Sequence, residues 1–167
     1  MDSCYPEYHG EPAKQRALAQ LEIMGACIGK YDDATIHVEY TPPYGHEPIG
    51  DSEIPAIVDC INILGNVRNL NLGETAITDT SAPELSRLEN VTYLSLNETS
   101  ISDAAIPYLM SVGSLRELVL SGTTITDLSV PQLLLLPHLT FLQLYATKMS
   151  DNGLATLKDT LPGIVEC

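Results

Sequence analysis

Between Val67 and Leu161 the apolar positions of the chain recur every 24 residues. The copies open as VRNLNLGETAITD at Val67, VTYLSLNETSISD at Val91, LRELVLSGTTITD at Leu115 and LTFLQLYATKMSD at Leu139. In each, a pair of leucines (Leu70/Leu72, Leu94/Leu96, Leu118/Leu120, Leu142/Leu144) alternates with other residues, which predicts a short strand with one face turned inward. Ile77, Ile101, Ile125 and Met149 follow at a fixed offset and close the turn after the strand. A second apolar pair at helical spacing (Leu85/Leu88, Leu109/Val112, Leu133/Leu136, Leu157/Leu161) predicts a short helix on the return path. One such unit cannot bury its apolar face alone, so stacking of the copies has to supply the missing partner.

Upstream, the pattern changes twice. From Glu11 to Met24, Leu18 and Leu21, with Ala17 and Met24, mark one apolar helical face, with Pro12 in the first turn and Gly25 as a stop. The segment ACIGKYDDATIHVEY reads as a hairpin: Ile28 and Lys30, then Ile36 to Tyr40, alternate about a turn at Asp32-Asp33. A loop rich in Pro and Gly follows from Thr41 to Asp51. A helix starting near Ser52 comes next, with Ile54, Ile57, Val58, Ile61 and Leu64 on its apolar face and Gly65-Asn66 at its end. The expected organisation is a single domain over residues 1–167. It has a flexible start (1–10), an N-terminal helix-hairpin cap (11–40), a degenerate first repeat (41–66) that borrows the Ile36 strand, four regular repeats (67–162) and a terminal strand (163–167). The chain is expected to end where the array ends. A cap is needed because the open end of such an array exposes apolar core.

The polar columns are as regular as the apolar ones. Thr75, Thr99, Thr123 and Thr147 are placed to donate to a backbone carbonyl of the neighbouring coil, forming a ladder. Asp79, Asp103, Asp127 and Asp151 precede the return segment, where a carboxylate accepts from free N–H groups and opposes the helix dipole; loss of one such cap would cost about 0.5–2 kcal/mol. Pro83, Pro107 and Pro131 stand at the start of the helix proper. The last repeat breaks that column with Asn152-Gly153-Leu154-Ala155.

A fixed period of this length built on L-x-x-L-x-L is the signature of a leucine-rich-repeat solenoid. The fuller pattern L-x-x-L-x-L-x-x-T-x-I-[ST]-D resembles the short leucine-rich-repeat proteins common in bacteria, related to the cysteine-containing repeats of F-box proteins. ALAQLEIMGACIGKYDDATIHVEY is similar to the helix and hairpin that precede such arrays. The resemblance covers about Pro12 to Cys167. It implies an α/β fold: a right-handed leucine-rich-repeat solenoid with a concave parallel β-sheet, short helices on the convex side and no intrinsic catalysis. The long loop TPPYGHEPIGD departs from it.

Charge and composition narrow the function. A net charge of −14 repels phosphate backbones, which argues against nucleic acid as a partner. No apolar run approaches the roughly 18–20 residues of a membrane span, and the start has no secretory pattern. Cys4, Cys27, Cys60 and Cys167 form no C-x-x-C pair, so a reducing, cytoplasmic setting is the expectation.

Candidate chemistry is sparse. The Asp column could hold a shared cation, but each Asp already has a place as a cap. The Thr column lacks an accompanying base for nucleophilic chemistry. His9, His37, His46 and His138 with Cys4, Cys27 and Cys60 match no closed zinc pattern. An enzyme built on Cys4, His9 or Tyr44-Gly45-His46 is the weakest alternative. No catalytic, cofactor-binding or metal residue is therefore assigned. The positions alternating with the inward leucines face outward instead: Asn69, Asn71 and Gly73; Tyr93, Ser95 and Asn97; Glu117, Val119 and Ser121; Phe141, Gln143 and Tyr145. Tyr93, Val119, Phe141 and Tyr145 are expected as neighbours on adjacent strands; Tyr93, Phe141 and Tyr145 would supply affinity, and Asn71, Asn97, Glu117 and Gln143 specificity. Aromatic anchors in a polar surround are the composition of a protein-binding surface. The expected function is a non-catalytic module, monomeric, that binds a protein or peptide on its concave sheet. The alternative is an assembly protein that self-associates through its end strands.

Overall fold

The computed structural model describes residues 11–31, 33–40, 49–136, 138–161 and 163–167. The start expected to be flexible (1–10), Asp32 of the expected turn, and residues 41–48 of the expected loop, with Cys4, His9, Tyr44, Gly45 and His46, lie outside them.

Helix α1 (Pro12–Ile23) buries Ala17, Leu18 and Leu21 and leaves Ile23 in solvent. Strands β1 (Cys27–Lys30) and β2 (Ile36–Glu39) form the antiparallel hairpin, with Ala34 at φ 67° in its turn and Asp33 accepting from Thr35 N at 3.0 Å. Helix α2 (Ile54–Leu64) buries Ile54, Ile57, Val58, Cys60, Ile61 and Leu64 and ends at Gly65. Strands β3 (Val67–Asn71), β4 (Tyr93–Ser95), β5 (Glu117–Val119), β6 (Phe141–Gln143) and β7 (Val165–Glu166) follow, one per coil. The return segments carry helices α3 (Ala82–Leu85), α4 (Ile106–Leu109), α5 (Val130–Leu133) and α6 (Asp151–Thr160).

The seven strands make one open sheet in chain order, antiparallel between β1 and β2 and parallel from β2 onward. Strand β2 thus closes the cap and serves as the first strand of the array. The inward row runs Val38, Leu70, Leu94, Leu118, Leu142 and Val165 in register across the strands, and all six are buried. Ile77, Ile101, Ile125 and Met149 are buried behind them, with Leu85, Leu109, Leu133 and Leu157 from the helical side. The fold is the α/β leucine-rich-repeat solenoid that the period implies, with the sheet on the concave side.

The proline column explains the shape of the return segments. Pro83, Pro107 and Pro131 are the second residues of α3, α4 and α5, and a 3₁₀ turn (Asp79–Ser81, Asp103–Ala105, Asp127–Ser129) precedes each. A proline ring clashes with the carbonyl four residues back and supplies no N–H, so an α-helix cannot run through it from the Asp. The last repeat has no proline there, and α6 runs unbroken from Asp151.

Two polar columns act differently from the sequence expectation. The Thr hydroxyls donate within their own coil: Thr75, Thr99 and Thr123 each reach the carbonyl three residues back at 2.6 Å, and Thr147 does so at 3.1 Å. Each Thr therefore fastens its own strand end rather than its neighbour's. The inter-coil ladder is made by the aspartates, which are not the caps. The cap is the hydroxyl residue one position earlier: Thr78, Ser102, Thr126 and Ser150 accept from Thr80 N, Ala104 N, Leu128 N and Gly153 N. Each of these hydroxyls also donates to the Asp of the preceding coil, which receives the backbone N–H of the same residue. Thr78 N and Oγ1 both reach Asp51 at 2.8 Å, Ser102 N reaches Asp79 at 2.8 Å, Thr126 N and Oγ1 reach Asp103 at 2.9 and 2.6 Å, and Ser150 N and Oγ reach Asp127 at 2.8 and 2.6 Å. Ser81 and Ser129 add a third donor to Asp51 and Asp103. Asp51, in the degenerate first repeat, is thus the first rung.

Burial works against ionisation of Asp51 and Asp103, but the converging hydroxyl and amide donors outweigh it and hold both carboxyls below their ordinary range. Asp127 is lowered by the Ser150 hydroxyl and amide.

A further column sits just past each strand. Glu74, Glu98, Gly122 and Ala146 all have positive φ, of 58, 52, 71 and 55°. Three of the four carry a Cβ where glycine is favoured.

Three outcomes follow. In a double-mutant cycle of Asp103→Ala and Thr126→Ala, the coupling measured by urea unfolding should be about 1 kcal/mol or more; simple additivity would mean that the ladder carries no inter-coil energy. Stability should fall in acid. With folded pKa values below the unfolded ones, the carboxylate contribution is fully present above about pH 4 and is lost as pH falls through the lower folded values; a thermal melt unchanged between neutral pH and strongly acid solution would contradict this. Ala146→Gly should raise stability by about 0.5–1 kcal/mol, since relief of the left-handed strain exceeds the added chain entropy; a lower melting temperature would show that Ala146 is not strained.

Candidate functional site

The sheet face turned away from the helices is where side chains stand free of core duty. Registration places them in rows. One row runs His37, Asn69, Tyr93, Glu117 and Phe141 across β2 to β6. The next runs Glu39, Asn71, Ser95, Val119, Gln143 and Glu166 across β2 to β7. Just past the strands lie Gly73, Asn97, Ser121 and Tyr145, joined by backbone bonds such as Glu74 N to the Asn97 carbonyl and Gly122 N to the Tyr145 carbonyl, each 2.8 Å.

The expected aromatic cluster is more dispersed than neighbouring strands imply. Tyr93 and Phe141 share a row, with Glu117 between them, so their backbones are roughly 9–10 Å apart. Phe141 and Tyr145 lie four residues apart along one strand path, roughly 13 Å. Val119 stands in the second row and is only 6% exposed, so it forms floor rather than contact surface. Tyr145 is 48% exposed, Glu117 is exposed, and Tyr93 and Phe141 are half-buried. The aromatic residues thus frame a patch whose centre is Glu117, Val119 and Gln143.

The polar residues are tied to one another. Asn71 Nδ2 donates to Glu39 Oε1 at 3.1 Å, and Asn71 Oδ1 accepts from Gly73 N at 2.9 Å. Ser95 Oγ donates to Asn97 Oδ1 at 2.6 Å. Asn97 folds across Gly73, where a Cβ would lie 2.1 Å from its Oδ1. Ser121 Oγ donates to Gln143 Oε1 at 3.2 Å, and Gln143 Nε2 reaches Glu166 Oε2 at 3.4 Å. The face is therefore preorganised, which lowers the entropy lost when a ligand is bound.

It is also acidic. Glu39, Glu117 and Glu166 lie in the rows, and Glu74 and Glu98 at the strand ends. The two arginines beside the face turn to backbone: Arg68 to the Asn90 carbonyl at 3.0 Å, and Arg116 to the carbonyls of Ser114 and Leu115 at 3.1 and 3.0 Å.

At the β2–β4 end the face deepens into a cleft of about 210 Å³ lined by Tyr31, His37, Glu39, Asn69, Asn71 and Tyr93. The sequence reading stopped at β3 and missed Tyr31, His37 and Glu39 as part of this surface. The signal was present, since His37 and Glu39 alternate with the inward Ile36 and Val38. The expected degenerate first repeat includes the Ile36 strand, but the expected outward positions begin only with the regular repeats.

Burial pushes the Tyr40 hydroxyl and the Cys60 thiol up, so both stay protonated near neutrality. Among the described residues no three His, Cys, Asp or Glu side chains converge as a metal site, and no helix is long and apolar enough to cross a membrane.

No family model matches the chain, and no curated protein matches it. Among solved structures, an internalin from Listeria monocytogenes is similar at 18% identity and a TM-score of 0.44, over 72% of this chain and 44% of that one. The chain spans less than half the length of that internalin.

Proposed function

We propose that the chain is a non-catalytic recognition module that takes a protein or peptide on its open sheet face. The observation that carries this is the placement of Tyr93, Phe141 and Tyr145. None of the three belongs to the core; Tyr93 and Phe141 stand on the parallel sheet, and Tyr145 lies just past the end of β6. Large aromatic side chains held in place lose little entropy on binding and dominate interface energies. Glu117, exposed between Tyr93 and Phe141, sets a charge requirement. Asn71, Asn97 and Gln143, held by hydrogen bonds to Glu39, Ser95 and Ser121 respectively, contribute directional specificity. A self-associating assembly protein is the second reading, and the outer edge of β7, unpaired in the strand order, is what favours it.

Peptides selected from a random display library on the immobilised full chain test the first reading. Affinity for Phe141→Ala/Tyr145→Ala should fall at least about tenfold, with the unfolding transition retained; peptides that bind the double variant as tightly as the parent would refute the open-face assignment. Light scattering after size exclusion should report a monomer, and a concentration-dependent dimer would favour pairing through β7.

A further inference from the structure

We infer that the cleft at the β2–β4 end of the face is a subsite for a guanidinium group, and so for an arginine side chain of the partner. This rests on the open-face reading and specifies one part of the ligand. The cleft is a built feature. His37 lies flat across its cross-strand neighbour Gly29, where a Cβ would stand 1.8 Å from the imidazole Cε1, so only glycine admits the ring there. Tyr31 packs against that ring, with centroids 5.2 Å apart at 51°, and leaves nearly half its own surface (47%) exposed. Asn69 Nδ2 reaches the Tyr31 hydroxyl at 3.4 Å, which steadies the outer wall. Tyr93 walls the opposite side.

Into this aromatic frame comes one carboxylate. Glu39 is half-buried, and its Oε1 accepts from Asn71 at 3.1 Å. Among the described residues it has no ion-pair partner. Asn71 is itself held between Glu39 Oε1 and Gly73 N, so it orients the carboxylate. A carboxylate in a half-shielded cleft with aromatic walls and no cation of its own has one complementary ligand class, an organic cation. The flat walls favour a planar guanidinium, which can stack on tyrosine and imidazole while donating in its plane to the carboxylate; an ammonium offers only a point charge. The surrounding field agrees. Glu117, Glu74 and Glu98 extend negative charge along the face, and the chain as a whole carries −14. The arginines at the margin are already turned to backbone carbonyls and leave the cleft to an external cation.

The test is a titration of the ¹⁵N-labelled full chain with N-acetyl-arginine N-methylamide, followed by amide resonances. The neutral citrulline and the lysine derivatives serve as comparison ligands. Saturable shifts are expected at the Asn69 and Asn71 side-chain amides and along β2. Citrulline should give none, and lysine should bind more weakly. Glu39→Gln, which can still accept from Asn71 and so keeps the fold, should weaken arginine binding about tenfold or more. Tyr31→Leu should also weaken it. Equal shifts with citrulline or lysine, indifference to Glu39→Gln, or no saturable shift would overturn the proposal. The display-selected peptides separate the two failures. Peptides lost on Phe141→Ala/Tyr145→Ala but indifferent to Glu39→Gln would sink this subsite and leave the open-face reading standing. Arginine shifts alongside peptides that ignore the Phe141/Tyr145 change would do the reverse.

Discussion

No coil of this protein can bury its own leucines. Each 24-residue unit offers a short strand and a shorter helix, too little to enclose an apolar face, so every coil is stable only against its neighbours. The row from Val38 through Leu70, Leu94, Leu118 and Leu142 to Val165 is the result, a continuous apolar spine. Apolar burial is non-directional, however, and would tolerate coils that slide. The aspartates supply direction. Each accepts two or three hydrogen bonds from the next coil's Thr or Ser, and that hydroxyl in turn caps its own return segment. One residue pair therefore sets both the register between coils and the start of the helical segment within one.

Function follows from what the spine and the ladder leave over. The inward face is engaged in packing, and the prolines and caps in shaping the return. The outward sheet positions differ from coil to coil. There the sheet holds Tyr93, Glu117, Phe141 and Tyr145 on a backbone that cannot easily move, because every strand is bonded on both sides except at the two ends. Rigidity at this face is a by-product of the stacking, and it is what makes a polar, aromatic surface useful for recognition.

The hairpin makes the cap part of that surface. Strand β2 pairs antiparallel with β1 and parallel with β3, so its outward residues His37 and Glu39 continue the rows begun at Asn69 and Asn71. The same four residues supply buried side chains to the core, from Ile36 and Val38, and outward ones to the sheet face, from His37 and Glu39.

The sequence by itself determined the period, the fold, the inward columns and the outward positions of the regular repeats, because all of these depend on spacing along the chain. It placed Leu70, Leu94, Leu118 and Leu142 inside, and Tyr93 and Phe141 outside, correctly. What it could not supply was the partner of each polar group. The Thr and Asp columns look interchangeable as ladder or cap until three dimensions show which donor lies within 3 Å. Thr75 turned to its own coil, and Asp79 to the next one. Nor could it show that Tyr93 and Phe141 flank Glu117 rather than touch, that Val119 is covered, or that Tyr31, His37 and Glu39 join Asn69 and Asn71 in one cleft. Those facts depend on register between segments up to about forty residues apart, which only the packed sheet decides.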